Sequence, residues 1–183
     1  MKRLFVGIPL SKLIRLNLTS LLAELQFPGI TPVEAENLHL TIKFLGEVAE
    51  AHLPEVNKKL EQISQHHAPF RLELKEIGVF PSEKEIRVVW MGVESEEMLG
   101  LIEETNRELA DIHREEHKEE IPHLTLARVK PTADFIKLKM VLNKNKSISL
   151  GLLDVDKFYL FESKLTPNGP IYSVLGEFGL KMG

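Results

Sequence analysis

Two near-copies of one tetrapeptide, His39-Leu40-Thr41-Ile42 and His123-Leu124-Thr125-Leu126, constrain this chain more than anything else in it. Each puts an imidazole and a hydroxyl two residues apart inside an apolar run. Side chains on a β-strand alternate faces at a rise of ~3.3 Å per residue, so His39 and Thr41 point the same way, ~6 to 7 Å apart, while Leu40 and Ile42 point into a core. His123 and Thr125 do the same on the second copy. Two such strands facing each other offer two imidazoles and two hydroxyls to a small anionic group held between them. A single strand of this kind is an ordinary structural strand; the repetition in matched context is what argues for function.

The rest of the chain supplies matching surroundings. Leu4 to Ile8 reads as a buried strand, and Ser11 can cap a helix carrying Leu13, Ile14, Leu18, Leu21, Leu22 and Leu25 on one face. The first motif strand, Leu38 to Leu45, ends at Gly46, and a helical spacing returns through Leu53, Val56, Leu60 and Ile63. Phe70, Leu72 and Leu74 alternate as a strand, Gly78-Val79-Phe80-Pro81-Ser82 is expected to turn the chain, and Ile86 to Val93 forms a further strand with the single Trp. A helix over roughly 96 to 112 precedes the second motif strand, Pro122 to Val129. Pro131 and Thr132 open another helix, and residues 148 to 178 read as strands broken near Pro167-Asn168-Gly169-Pro170. Each motif strand is thus preceded by a strand and a helix and followed by a helix. This order predicts an imperfect internal duplication within one compact domain over 1–183, two intertwined αβ lobes each giving one motif strand to a shared groove. The expected fold class is α+β, with two antiparallel-rich sheets facing that groove and helices on the outer faces.

The 183 residues carry a net charge of −4, which argues against a protein that coats nucleic acid nonspecifically but leaves room for a nucleic-acid end as substrate. There is no cysteine, hence no disulfide, thiol nucleophile or Cys-based zinc site. The apolar stretch after Met1 is too short for a signal peptide, and no segment reaches the roughly 18 apolar residues of a membrane span. A cytoplasmic protein without a membrane partner is the expectation.

A histidine with a pKa near ~6.5 serves as acid or base at neutral pH, and two of them can divide those roles. In-line hydrolysis of a phosphodiester asks for that division. One group takes a proton from the entering water while the other, across the phosphorus, protonates the departing sugar oxygen. The threonine hydroxyls can donate to the non-bridging oxygens. Arg128 and Lys43 are the nearest cations in sequence. Lys43, two residues beyond Thr41, shares the His39 face by parity and is a weak candidate; Arg128, five beyond His123, points away by strict alternation and reaches a phosphate only if the strand twists or ends there. No GxxxxGK[ST], HExxH or clustered Asp pair is present, so neither metal nor ATP is expected as a cofactor. His113 and His117 have the H-x-x-E-H spacing of a zinc hydrolase but lie in a charged stretch at a helix end. Lys137, Lys139, Lys144 and Lys146 either contact an RNA backbone or form a solvated helix face.

Asn37-Leu38-His39-Leu40-Thr41-Ile42-Lys43-Phe44-Leu45-Gly46 and Pro122-His123-Leu124-Thr125-Leu126-Ala127-Arg128 closely resemble the signature strands of the two-histidine phosphoesterase superfamily, in its RNA 2′,3′-cyclic phosphodiesterase (2′-5′ RNA ligase) branch. Arg3-Leu4-Phe5-Val6, Arg87-Val88-Val89-Trp90, and Ser163 through Gly169-Pro170-Ile171-Tyr172 are similar to other strands of that family. The resemblance implies a bilobal α+β fold with a central groove, and opening of a terminal RNA 2′,3′-cyclic phosphate to a 2′-phosphate. It implies that His39 is the proton donor and His123 the proton acceptor, with Thr41, Thr125 and Arg128 on the phosphate, and that the reverse reaction joins RNA ends through a 2′,5′ linkage. The implied partners are RNA 3′ ends bearing the cyclic phosphate, tRNA halves being one candidate, and the chain is expected to act as a monomer. The rival readings are an RNA-end or nucleotide binding module without turnover, and a zinc hydrolase using His113 and His117.

Overall fold

The computed structural model describes residues 1–112, 121–167 and 169–181. Among them the chain forms β1 (Lys2–Pro9), α1 (Lys12–Glu24), β2 (Ile30–Pro32), β3 (His39–Val48), α2 (Leu53–Gln65), β4 (Phe70–Ser82), β5 (Glu85–Glu94), α3 (Glu96–Glu108), β6 (His123–Val129), α4 (Phe135–Lys144), β7 (Ser149–Val155), β8 (Lys157–Thr166) and β9 (Gly169–Gly179). The class is α+β, as expected.

The helices follow the apolar spacing and its caps. Ser11 accepts from the Ile14 N–H to start α1, which buries Ile14, Leu18 and Leu21 along one stripe with Leu22 at its edge, while Leu13, expected on that face, points to solvent because the helical period carries it off the stripe. Val56, Leu60 and Ile63 form the buried stripe of α2. Ser95 caps α3, and the Asp134 carboxylate caps α4 by accepting from Ile136 and Lys137. Thus α4 begins at Phe135, later than Pro131, because the first suitable side-chain cap is Asp134. The Gly78–Ser82 stretch does not turn the chain. It continues β4, and the turn lies at Glu83-Lys84, where Ser82 pairs with Glu85.

Every strand pairing is antiparallel, and the strands run in the order β7-β4-β5-β6-β3-β1-β8-β9, with β2 paired to β6. This order is mirrored about the junction between the two motif strands, β6 and β3. Four strands of that row lie on each side of it, β3 and β6 pair through one residue pair, Leu40 with Leu124, both wholly buried, and β2 extends the junction by pairing with β6 at Ala127–Val129. Helix α1 packs on β7, α2 on β9 and α3 on β3, so the apolar face of the sheet is covered. The core they enclose holds Leu40, Leu45, Val89, Met91, Leu124 and Leu126 from the sheet, leaving the opposite face near the junction for polar side chains.

Candidate active site

With Leu40 opposite Leu124, the antiparallel register brings His39 and Thr41 alongside Thr125 and His123 at the middle of the sheet. All four are half-buried, while the leucines between them are fully buried, as strand alternation requires. The two copies are oriented by the same device. His39 Nδ1 lies 2.7 Å from the Asn37 carbonyl and His123 Nδ1 lies 2.8 Å from the Ile121 carbonyl, each acceptor two residues upstream. A carbonyl can only accept, so each Nδ1 carries the proton as donor, which leaves each Nε2 available for chemistry.

Beyond the threonines both strands break alternation at the same place. Pairing of β1 with β3 passes from Val6–Lys43 to Gly7–Thr41, leaving Ile42 as an extra residue, and pairing of β5 with β6 passes from Val89–Ala127 to Trp90–Thr125, leaving Leu126 extra. Each is a β-bulge, which shifts side-chain parity by one. Exposure follows it: Ile42 and Lys43 are both buried and Phe44 is exposed, as Leu126 and Ala127 are buried and Arg128 is exposed. The bulge therefore turns Arg128 onto the His123 face, which strict alternation denied it. The same bulge takes Lys43 off the His39 face. Lys43 is 6% exposed and donates from Nζ to Asn106 Oδ1 of α3 at 3.0 Å, so the expected place beside the phosphate is corrected to the helix-covered side of the sheet.

Aromatic rings flank both histidines. Phe5 lies 4.6 Å from the His39 ring and Tyr172 meets it edge-on at 5.2 Å. Phe80 meets His123 edge-on at 5.0 Å, with Trp90 at 6.3 Å. Two glycines make room for this. A Cβ on Gly7 would stand 2.9 Å from the Leu40 carbonyl oxygen, and one on Gly78 would collide with the Trp90 indole. None of these rings was readable as a site residue, because strand pairing brings them in from β1, β4, β5 and β9. Burial pushes the His39 imidazole below its ordinary value, against the raising effect of the hydrogen bond to Asn37, and the charge of His123 adds to the lowering. Burial likewise raises the Tyr172 hydroxyl, opposed by the charges of Arg128 and Arg3, which puts two guanidinium groups within electrostatic reach of this end of the groove.

The remaining candidates lie elsewhere. His113 and His117 fall outside the described residues, and among the described residues no group of three or more His, Asp or Glu could hold a metal ion. His66 Nδ1 and His67 Nε2 each lie 2.8 Å from an oxygen of the Glu104 carboxylate. Lys137 stands 4.6 Å over the Phe27 ring and Lys144 donates to Glu24, while Lys139 and Lys146 border a separate cavity between β4 and α4. No described helix is long and apolar enough to cross a membrane.

Two imidazoles with Nδ1 tied to backbone carbonyls, on paired strands whose same face carries Thr41, Thr125 and Arg128, are groups that can exchange protons with a small anion. The model of the LigT like Phosphoesterase family matches residues 8–90 and 93–172. The chain is 36% identical over 176 residues to the RNA 2′,3′-cyclic phosphodiesterase of Methanocaldococcus jannaschii, covering 96% of this chain and 99% of that one. Among solved structures it is similar to TT0787 of Thermus thermophilus, with a TM-score of 0.85 and 33% identity over 97% of both chains. It is also similar to E. coli LigT complexed with phosphate, with a TM-score of 0.76 and 27% identity over 99% of this chain and 98% of that one.

Proposed function

The chain belongs to the LigT-like phosphoesterase family, and from that premise we propose that it is an RNA 2′,3′-cyclic phosphodiesterase, opening the cyclic phosphate at an RNA 3′ end to a 2′-phosphate. The observation that carries this reading is the matched pair of histidines on paired strands, each with Nδ1 tied to a backbone carbonyl two residues upstream and Nε2 left for proton transfer. His123 Nε2 takes a proton from water as the water oxygen bonds to phosphorus. His39 Nε2 gives its proton to the 3′ oxygen as the P–O3′ bond breaks. Thr41 and Thr125 donate to the non-bridging oxygens, and Arg128 balances the charge that accumulates there. Lys43 has no part in this reaction, since its amino group is engaged with Asn106 on the far side of the sheet. With an RNA 5′ hydroxyl in place of water, the same steps form a 2′,5′ linkage: His123 takes the 5′ hydroxyl proton as that oxygen bonds to phosphorus, and the P–O3′ bond breaks as His39 protonates the 3′ oxygen. RNA ends, tRNA halves among them, are the partners of this reading.

The test is incubation with an RNA ending in a 2′,3′-cyclic phosphate, in the presence of a chelator, with identification of the product phosphate. A 2′-phosphate is expected, and His39→Ala or His123→Ala should each lower turnover by roughly 10²- to 10⁴-fold. A 3′-phosphate product would reverse the leaving-group assignment. Binding without product would make the protein a nucleotide-binding module, and loss of activity to the chelator would restore the zinc reading.

A further inference from the structure

Next to His39 the groove deepens into a cavity of about 390 Å³, a volume typical of small-molecule sites. Its walls are aromatic and apolar. Phe5 and Phe161 lie stacked at 4.9 Å, Tyr172 stands edge-on to Phe5 at 4.9 Å, and Ile171 and Pro170 close the β9 side. Flat apolar walls with openings at one edge are how splayed single-stranded bases are held. The reaction itself directs a base here. If His39 protonates the 3′ oxygen, the terminal ribose lies in hydrogen-bond reach of that imidazole, and the base it carries sits one sugar ring away, where this cavity shares His39 as part of its lining.

The polar side chains at the cavity are unusual for a nucleic-acid site. Glu34 and Glu36, from the segment joining β2 to β3, border it, and the Asn37 amide nitrogen is committed to the Pro170 carbonyl at 3.0 Å. Ionised carboxylates only accept hydrogen bonds, and they repel phosphate, so they suit neither the backbone nor a base edge rich in carbonyl oxygens. Guanine presents N1–H and the N2 amino group side by side, matching a carboxylate in a two-point contact. Adenine and cytosine present one amino group each. Uracil presents two carbonyl oxygens around a single N–H.

We propose that the cavity beside His39 receives the terminal nucleobase of the substrate, and that Glu34 and Glu36 make it select guanine over uracil. This inference rests on the cyclic phosphodiesterase reading and assigns the substrate specificity of that site. Four RNAs identical except for the last nucleotide, each ending in a 2′,3′-cyclic phosphate, test it through kcat/KM. The guanosine end should exceed the uridine end by about 5- to 100-fold, the scale of one well-formed two-point base contact, with adenosine and cytidine between. In the Glu34→Gln/Glu36→Gln double variant, whose changes lie at exposed positions, that ratio should fall to about 3-fold or less as the acceptor pair is lost. Equal rates for guanosine and uridine ends, or an unchanged ratio in the double variant, would overturn the assignment. Fluorescence anisotropy with the four RNAs ending in a 2′-phosphate keeps the two readings separable. If no cyclic end is opened, the cyclic phosphodiesterase reading fails, while tighter binding of the guanosine product still supports the cavity's assignment and equal binding rejects it.

Discussion

His39 and His123 share a strand position, a tautomer and a hydrogen-bond pattern, and the surroundings of His39 disfavour its charge. Burial among Phe5 and Tyr172 holds its pKa below the ordinary value near ~6.5, so in the free protein it is mostly neutral at pH 7. A proton donor must start charged, and the anionic phosphate placed between the two rings favours that state. The alkaline limb of the kcat/KM profile, which reports the free enzyme, should therefore lie at lower pH than the alkaline limb of kcat. Superimposable limbs would remove His39 as the donor. The same shift bears on stability. The unfolded chain takes up the His39 proton more readily than the folded one, so stability falls as pH drops below about 6.5 and levels off beneath the folded value. Urea unfolding of His39→Gln should lose that slope in the window just below pH 6.5. At this scale the two histidines and two threonines were legible, since strand parity alone places them. The rings around them were not, because Phe5 and Tyr172 meet His39 through pairings between residues far apart in sequence.

The element that decides which cations reach the groove is the bulge, present at Ile42 in β3 and at Leu126 in β6. It is invisible to an alternation pattern because both extra residues are aliphatic and buried, so the apolar run reads as unbroken. Only the register against β1 and β5 reveals the change of parity that rotates Arg128 inward and Lys43 outward. Arg128→Ala should lower kcat/KM by about 10²-fold, on the scale of losing one charge-stabilising donor in a transition state. Arg128→Lys should recover little of it, since a point charge does not replace a planar fork. Lys43→Met should behave in the opposite way. Its kcat/KM should stay within about 2-fold, while thermal unfolding shows a loss of about 1–3 kcal/mol because the Asn106 amide is left without its charged partner. A large loss of turnover in that variant would return Lys43 to the site. Between α2 and α3, Glu104 provides an acid-side counterpart: burial works to raise its carboxyl, but hydrogen bonds from His66 and His67 and their charges hold it lower. The stability it contributes is present above about pH 4.3, its unfolded value, and is lost as pH falls through the lower folded value. Acid unfolding of Glu104→Gln should show a shallower decline there.

On the scale of the molecule, the two motif strands pair at one buried pair, so cohesion across the site depends on Leu40 and Leu124, on β2 alongside β6 and on the helices that span behind them. Leu40→Ala should cost about 2–5 kcal/mol in urea unfolding, as for other fully buried leucines. The single tryptophan, Trp90, sits in the His123 half and gives a local probe against far-UV circular dichroism of the whole. The two signals should trace one transition, because α1 from the N-terminal segment packs on β7 of the other half. Separate midpoints would mean that the halves unfold independently. The class of the fold was legible from alternating strands and capped helices. The order of strands was not, because nothing local in β1 announces that it will pair with β8. That pairing bears on how the protein is made. Strands β4, β5, β6 and β7, which carry His123, are contiguous in the chain, whereas the half carrying His39 joins β1 and β3 to β8 and β9. A chain leaving the ribosome can thus assemble the His123 strands from one stretch of residues, while the His39 strands wait for the β8–β9 hairpin to emerge. The two imidazoles therefore come together in a finished sheet only after β8 and β9 have followed β6 out of the ribosome.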